Sequence, residues 1–283
     1  MTKKGYLVCL TLLKISAQVL GQDSISVVGL RADTYLHPAN SNTAYTLQKN
    51  EFSLNFAASS LPLPTWAWWG ITDKITAEID FLPLIGGVFE KPHLPVPSFN
   101  FRFKLTDQAG SKPALAYETM FQHLYHSFDQ ADNPYFATRR KGTNWYHHLN
   151  ASWRVSSAFY MHAAAGLTYA HYLQLVNKET LVQKIYSDHI TPDFSLGLDY
   201  RFTWISFHAN GSYGSTFNYL DNVARKIEGM YGCRLAPFYR SRFKLLKNFR
   251  AEWTGFYVSF KDINASAYVP LFIPYVYWQF KWK

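Results

Sequence analysis

Cysteine is nearly absent from this chain: Cys9 and Cys233 are the only two. Cys9 falls in an N-terminal leader described below, so the remaining chain has one thiol. That excludes an internal disulfide and the cysteine-based zinc patterns. No apolar run approaches the roughly 18 residues of a membrane-crossing helix. Neither a glycine-rich phosphate loop nor a carboxylate calcium loop is present, so no cofactor and no metal is expected. No nucleophile motif of the known hydrolases occurs. Basic residues outnumber acidic ones, 28 to 19. They are dispersed along the chain and form no single patch, which argues against nucleic-acid binding.

What the chain has in abundance is aromatic side chains, 18% of all residues, diluted evenly by polar ones. The first residues, "MTKKGYLVCLTLLKISAQVLGQ", place Lys3 and Lys4 before an apolar stretch from Gly5 to Leu13. Val19 and Gly21 then form a small-residue pair before Gln22. This tripartite order predicts a secretory signal peptide over residues 1–21. Its removal takes Lys3, Lys4 and Lys14 and no acid, lowering the net charge of +9 by three. Residues 22–42 read as an irregular periplasmic segment or small plug, and 43–283 as one domain.

That domain alternates. In "FNFRFKL", Phe99, Phe101, Phe103 and Leu105 interleave with Asn100, Arg102 and Lys104. A strand sends successive side chains to opposite faces, so one face is apolar and the other polar and cationic. The same period recurs from "EFSLNFAAS" near residue 51 to "YVYWQFKWK" at the end. Across these strands every acid, Lys and Arg falls on the polar face. The inward set is Glu78, Asp80, Arg102, Lys104, Glu118, Arg154, Asp193, Asp199, Arg201, Glu228, Arg234, Arg250 and Glu252. Many strands reach about 10 residues, the length of a tilted membrane-crossing strand. Trp, Tyr and Phe gather near strand ends on the apolar face, as in an interfacial girdle. Cys233 falls on that apolar face, as an inert small group.

Connections alternate in length. Asp73-Lys74, Asp107–Lys112, Ser156-Ser157 and Thr203-Trp204 read as tight turns; longer polar segments lie near 86–97, 124–143, 174–190 and 214–223. A long basic turn covers Tyr239–Asn248, and in "TWAWWGIT" either register leaves a tryptophan outward. The count is about twelve strands, an even number with both ends on one side. The expected fold is all-β: a transmembrane antiparallel up-and-down barrel with both termini periplasmic. Closure satisfies every backbone group in a medium that offers no hydrogen bonds.

On the leader, the hairpin "GITDKITAEIDF" and the aromatic last strand "YVYWQFKWK", the chain resembles the outer-membrane β-barrel proteins of Gram-negative bacteria. The last strand is similar to the signal read by the barrel-assembly machinery, with Phe280 and Trp282 in the alternating aromatic places and Lys283 terminal. The resemblance implies the outer membrane as location, with the lipid bilayer, lipopolysaccharide and the assembly machinery as partners. It is of the small transporter-like or porin-like kind.

Three functions are compatible with this reading. The inward charges suit passage of a small solute through a charged lumen. They equally suit a salt-bridge network that holds a non-conducting structural or adaptor barrel rigid. A hydrolase is the third; His126-Ser127, His147-His148, and His208 with Ser206 and Ser212 are the available pairs, none at a nucleophile spacing. In the segment "FDQADNPYFATRRKGTN", Arg139, Arg140 and Lys141 are read as a loop meeting anionic lipopolysaccharide or a partner. Arg240, Arg242, Lys244 and Lys247 are read as meeting inner-leaflet phosphates, or as a hydrated turn.

Overall fold

The structure, a computed structural model, describes residues 43–57, 64–81, 98–128, 137–178, 181–214, 225–260 and 266–282. The expected leader, 1–21, and the whole 22–42 segment therefore lie outside the described residues. Among the described residues twelve strands close into one barrel. They are β1 (Phe52–Ala57), β2 (Trp66–Thr72), β3 (Ile75–Asp80), β4 (Ser98–Thr106), β5 (Ala114–Phe128) and β6 (Ala137–Arg154). Then follow β7 (Phe159–Lys178), β8 (Leu181–Arg201), β9 (Ile205–Tyr213), β10 (Arg225–Leu235), β11 (Phe249–Phe260) and β12 (Ser266–Trp282). Each pairs antiparallel with its neighbour in the chain, and β1 closes on β12, Phe52 opposite Trp282 and Ala57 opposite Tyr277. The all-β closed barrel and the strand count are as expected from the alternation.

The register puts the start of β1, the end of β12 and the turns 73–74, 107–113, 155–158, 202–204 and 236–248 at one end. We call this the short-turn end. The turn 236–248 is long and basic as expected, and holds one helical turn, α1 (Lys244–Lys247).

The barrel is inside-out relative to a water-soluble protein. Outward Phe101 is 38% exposed and Leu196 70%, while inward Asn150 and Arg201 are fully buried. Apolar side chains on the outside of a closed sheet, with polar ones within, are the arrangement that lipid selects. Two aromatic belts border this surface. Near the short-turn end Phe52 stacks on Trp69 (5.7 Å), Tyr200 meets Phe202 (4.8 Å) and Phe249 meets Trp278 (5.8 Å). Further along, Phe121, Trp145 and Tyr169 stand in register across β5, β6 and β7. The eight-residue step from Trp153 to Trp145 spans roughly 20 Å along the axis of a tilted barrel, the height of an apolar band.

Two expectations fail here. The segments 124–143 and 174–190 are not long loops. β5 runs to Phe128 and β6 starts at Ala137, while β7 and β8 continue to Lys178 and from Leu181. Arg139, Arg140 and Lys141 are thus part of β6, paired with β5 and β7, and not of a loop. The physical reason is solvent: beyond the second belt both faces of a strand meet water, so the apolar half of the alternation disappears while the backbone ladder continues. In "TWAWWGIT" regular pairing from Trp66 to Gly70 buries Trp66 and Trp68 inward and sets Trp69 outward, and a register shift follows between Gly70 and Thr72.

Leu196, between the belts, tests the surface. Leu196→Arg is expected to destabilise the barrel by about 2–4 kcal/mol in urea unfolding from phospholipid vesicles. A site facing water would change by no more than about 0.5 kcal/mol.

Candidate functional site

The lumen is the concentration of chemistry in this fold. The pleat aims every second residue inward, so polar side chains from non-adjacent segments meet there. Asp80, Arg102, Glu118, Asp193, Asp199, Arg201, Glu228, Arg234, Arg250 and Glu252 are all buried on inward rows, and Glu78 shares the row of Asp80. Lys104 and Arg154 mark the short-turn rim. Lys104 Nζ pairs with Asp107 at 2.9 Å, and Arg154, exposed, donates from Nε to the Ser156 carbonyl at 3.4 Å. Of the two residues expected in the assembly signal, Phe280 points outward and meets Phe56 edge-on at 5.9 Å, and Trp282 pairs with Phe52 in the seam.

Glu118 is one hub. Its Oε1 accepts from Arg102 Nη2 at 2.7 Å and from Asn100 Nδ2 at 2.6 Å, and its Oε2 accepts from Asn150 Nδ2. Asn100 Nδ2 also reaches Glu78 Oε2 at 3.2 Å. A carboxylate this deep is tolerated because a cation and two amides replace its water. Asp199 is a second hub, with Arg201 Nη2 at 2.6 Å and His162 Nε2 at 3.3 Å. The Arg201 guanidinium lies over the Tyr160 ring at 4.2 Å. Asp193 takes His148 Nε2 at 3.4 Å and the Thr168 hydroxyl. Glu252 takes Arg234 Nε at 3.1 Å and the Thr254 hydroxyl at 2.9 Å, with His208 Nε2 3.8 Å away.

A stretch of chain lies inside this ring. Residues 43–48 lie inside the lumen and lead toward the short-turn end, where Lys49 N–H donates to Asp73 Oδ1 at 2.8 Å and the chain turns at Lys49-Asn50 to enter β1. Asn50 adopts φ 62°, a left-handed conformation that Asn tolerates better than most residues. Gly70 leaves room for the passage: a Cβ there would sit 1.9 Å from the Gln48 carbonyl oxygen. The barrel wall holds the stretch by its backbone. Ala44 N–H donates to Ser152 Oγ at 2.8 Å, and Asn150 Nδ2 donates to the Thr43 carbonyl at 3.2 Å. Arg102 Nη1 donates to the Tyr45 carbonyl at 3.3 Å, and Leu47 N–H donates to Thr76 Oγ1 at 2.8 Å. The Tyr45 ring meets Tyr160 and His162 edge-on, at 6.1 and 6.2 Å. Thr43, Ala44 and Leu47 are buried. The expectation of a plug was set on residues 22–42, which lie outside the described residues; the part seen in the lumen is 43–48.

The hydrolase pairs fare differently. His147 and His148 sit on opposite faces of β6, His147 outward against Tyr117 Oη at 2.7 Å. Neither ring nitrogen of His208 has a hydrogen-bond partner among the described residues. The side chains of His126, Ser127 and His171 are outside the description. A serine, histidine and aspartate do meet elsewhere, at Ser152, His162 and Asp199. Ser152 Oγ lies 2.8 Å from His162 Nδ1, and His162 Nε2 faces Asp199. For a neutral ring, Ser152 donates to Nδ1, Nε2–H donates to Asp199, and the serine oxygen accepts the Ala44 N–H. Ser152 is fully buried, so the arrangement clamps the lumen segment and offers no open nucleophile.

Charge alone misses half of this site. Asn100, Asn150, Ser152, His148, His162 and His208 are neutral or titratable members of the same inward rows. Reading the whole polar row, and not only its ions, would have found them.

Set beside known proteins, the chain matches no family model and no curated protein. Solved structures do match. Ail, the attachment invasion locus protein of Yersinia pestis, solved with the heparin analogue sucrose octasulfate, is 9% identical with TM-score 0.29, over 66% of this chain and 97% of that one. The toluene transporter TodX of Pseudomonas putida is 8% identical with TM-score 0.28, over 86% and 95%. The monoaromatic hydrocarbon channel CymD is 10% identical with TM-score 0.30, over 92% and 94%. On its own geometry, this chain is a β-barrel of the outer-membrane type.

The Glu118 hub has a measurable signature. Arg102→Met is expected to cost about 3–5 kcal/mol in urea unfolding, because it leaves a buried carboxylate without its cation. Adding Glu118→Gln to that variant removes the orphaned charge and restores most of the loss.

Proposed function

We propose that this protein is a Gram-negative outer-membrane barrel through which a small solute crosses, and that residues 43–48 close its lumen at rest. The observation that carries this reading is how the lumen segment is held. Its backbone is held by single hydrogen bonds from wall side chains at Ser152, Asn150, Arg102 and Thr76, and its side chains add the Thr46 hydroxyl donating to the Asp73 carbonyl at 3.1 Å and the Tyr45 ring against Tyr160. Each such bond contributes only about 0.5–1.5 kcal/mol net. A closure made of several weak bonds can be reversed, whereas the wall ladder cannot. The wall behind it is polar and carries both signs of charge, which favours a polar or ionic solute over an apolar one. We read the protein as non-enzymatic, since the Ser152 oxygen is occupied and shielded by the segment.

The second reading is a non-conducting structural barrel. It is favoured by the buried ion pairs at Glu118, Asp199 and Glu252, which also suit a filled and rigid lumen.

Single-channel recording in planar bilayers separates the two. The native protein is expected to be closed most of the time. Thr76→Ala, Asn150→Ala and Ser152→Ala combined remove three attachments and are expected to raise the open-to-closed ratio about tenfold to a thousandfold. A folded triple variant that stays electrically silent would favour the structural barrel.

A further inference from the structure

We propose that the turn 236–248 docks onto anionic phospholipid headgroups of the leaflet at the short-turn end. The inference rests on the membrane-barrel reading and goes beyond it. Its sequence, "APFYRSRFKLLKN", contains four cations and no acid. Arg240, Arg242, Lys244 and Lys247 are all exposed. So are its large apolar side chains: Phe243 is 74% exposed and Leu245 64%, with Phe238 and Leu246 near half. The other described turns at this end, such as 73–74 and 202–204, are short connections that strand pairing alone requires.

An exposed apolar cluster of this kind marks an interaction surface. Three observations say what covers it. First, in α1 the two lysines are three residues apart and share a side, while Leu245 and Leu246 occupy the opposite side. One helical turn thus separates an apolar edge from a cationic edge, as an interfacial segment does. Second, Phe238, in the same turn, joins the lipid-facing belt. The Phe238 ring meets Phe249 at 5.8 Å, and Phe249 meets Trp278 at 5.8 Å. Third, the base of the turn is fixed: buried Arg250 donates from Nη1 to the Lys247 carbonyl at 2.9 Å and the Phe249 carbonyl at 3.0 Å. The turn is therefore held at the rim of the bilayer, where apolar side chains find acyl chains and long basic ones extend to phosphates. A soluble protein partner would match the charge but would not account for the contact of Phe238 with the lipid-facing Phe249 and Trp278.

The test uses the full chain, with Cys9→Ala and Cys233→Ala, refolded into vesicles of phosphatidylcholine with phosphatidylglycerol. An environment-sensitive fluorophore is placed on Phe243→Cys, and separately on Phe101→Cys as a control for insertion. Spin-labelled phosphatidylglycerol and spin-labelled phosphatidylcholine are compared as quenchers. At position 101 both lipids are expected to quench equally. At position 243 the emission is expected to be blue-shifted, with the anionic lipid preferred about fivefold for each cation that engages a headgroup. Changing Arg240, Arg242, Lys244 and Lys247 to Gln is expected to abolish that preference while quenching persists. Water-like emission without quenching at 243, alongside normal quenching at 101, would overturn the proposal. Equal quenching by the two lipids at 243 would overturn the headgroup recognition. Shielding that appears only when soluble envelope proteins are added would assign the turn to a protein partner instead. Loss of quenching at 101 would reject the membrane barrel itself, a result distinguishable from all of these.

Discussion

A backbone amide inside lipid has no water to bond, and that one constraint organises the molecule. Every strand needs a partner on both sides, so the sheet must close, and it closes where Phe52 meets Trp282. Closure fixes the pleat, and the pleat divides each strand into a lipid row and a lumen row. The outward rows can then be as apolar as Leu196 and Phe101 because lipid, not water, covers them. The inward rows become a confined polar interior.

That interior follows a second rule. A charge withdrawn from water must find a partner or destabilise the fold. Glu118, Asp199, Asp193 and Glu252 each collect a cation or histidine together with a neutral donor. Packing of this kind leaves the wall rigid. The segment 43–48 differs from the wall in how it is held, by side-chain hydrogen bonds and ring packing in place of a strand ladder. A rigid wall and an insert outside its ladder are the two mechanical parts that the proposed passage requires. The same contrast appears at the rim, where the turn 236–248 projects from a base fixed by Arg250.

Much of the architecture was legible in the sequence because a membrane imposes a sharp period of two. Phe99, Phe101 and Phe103 against Asn100 and Arg102 stated the faces of β4 without ambiguity, and the structure has them so. Legibility stopped where the bilayer stopped. Residues 174–190 looked like a loop because both faces there meet water, yet they continue β7 and β8. The candidate site was legible only in outline. The rows of Arg102 and Glu118 could be read, but not that Asn150 joins them, nor that Ser152, His162 and Asp199 converge.

By itself, the sequence determined the fold class, the strand number and the faces of the strand residues between the belts, since each follows from local alternation under a uniform solvent on each side. Only the tertiary structure decided which inward residues meet, that residues 43–48 occupy the lumen, and that strands continue past the aromatic belt. Those outcomes depend on register and closure. These bring together residues as distant as Ala44 and Ser152, and no period along the chain encodes a contact across a barrel.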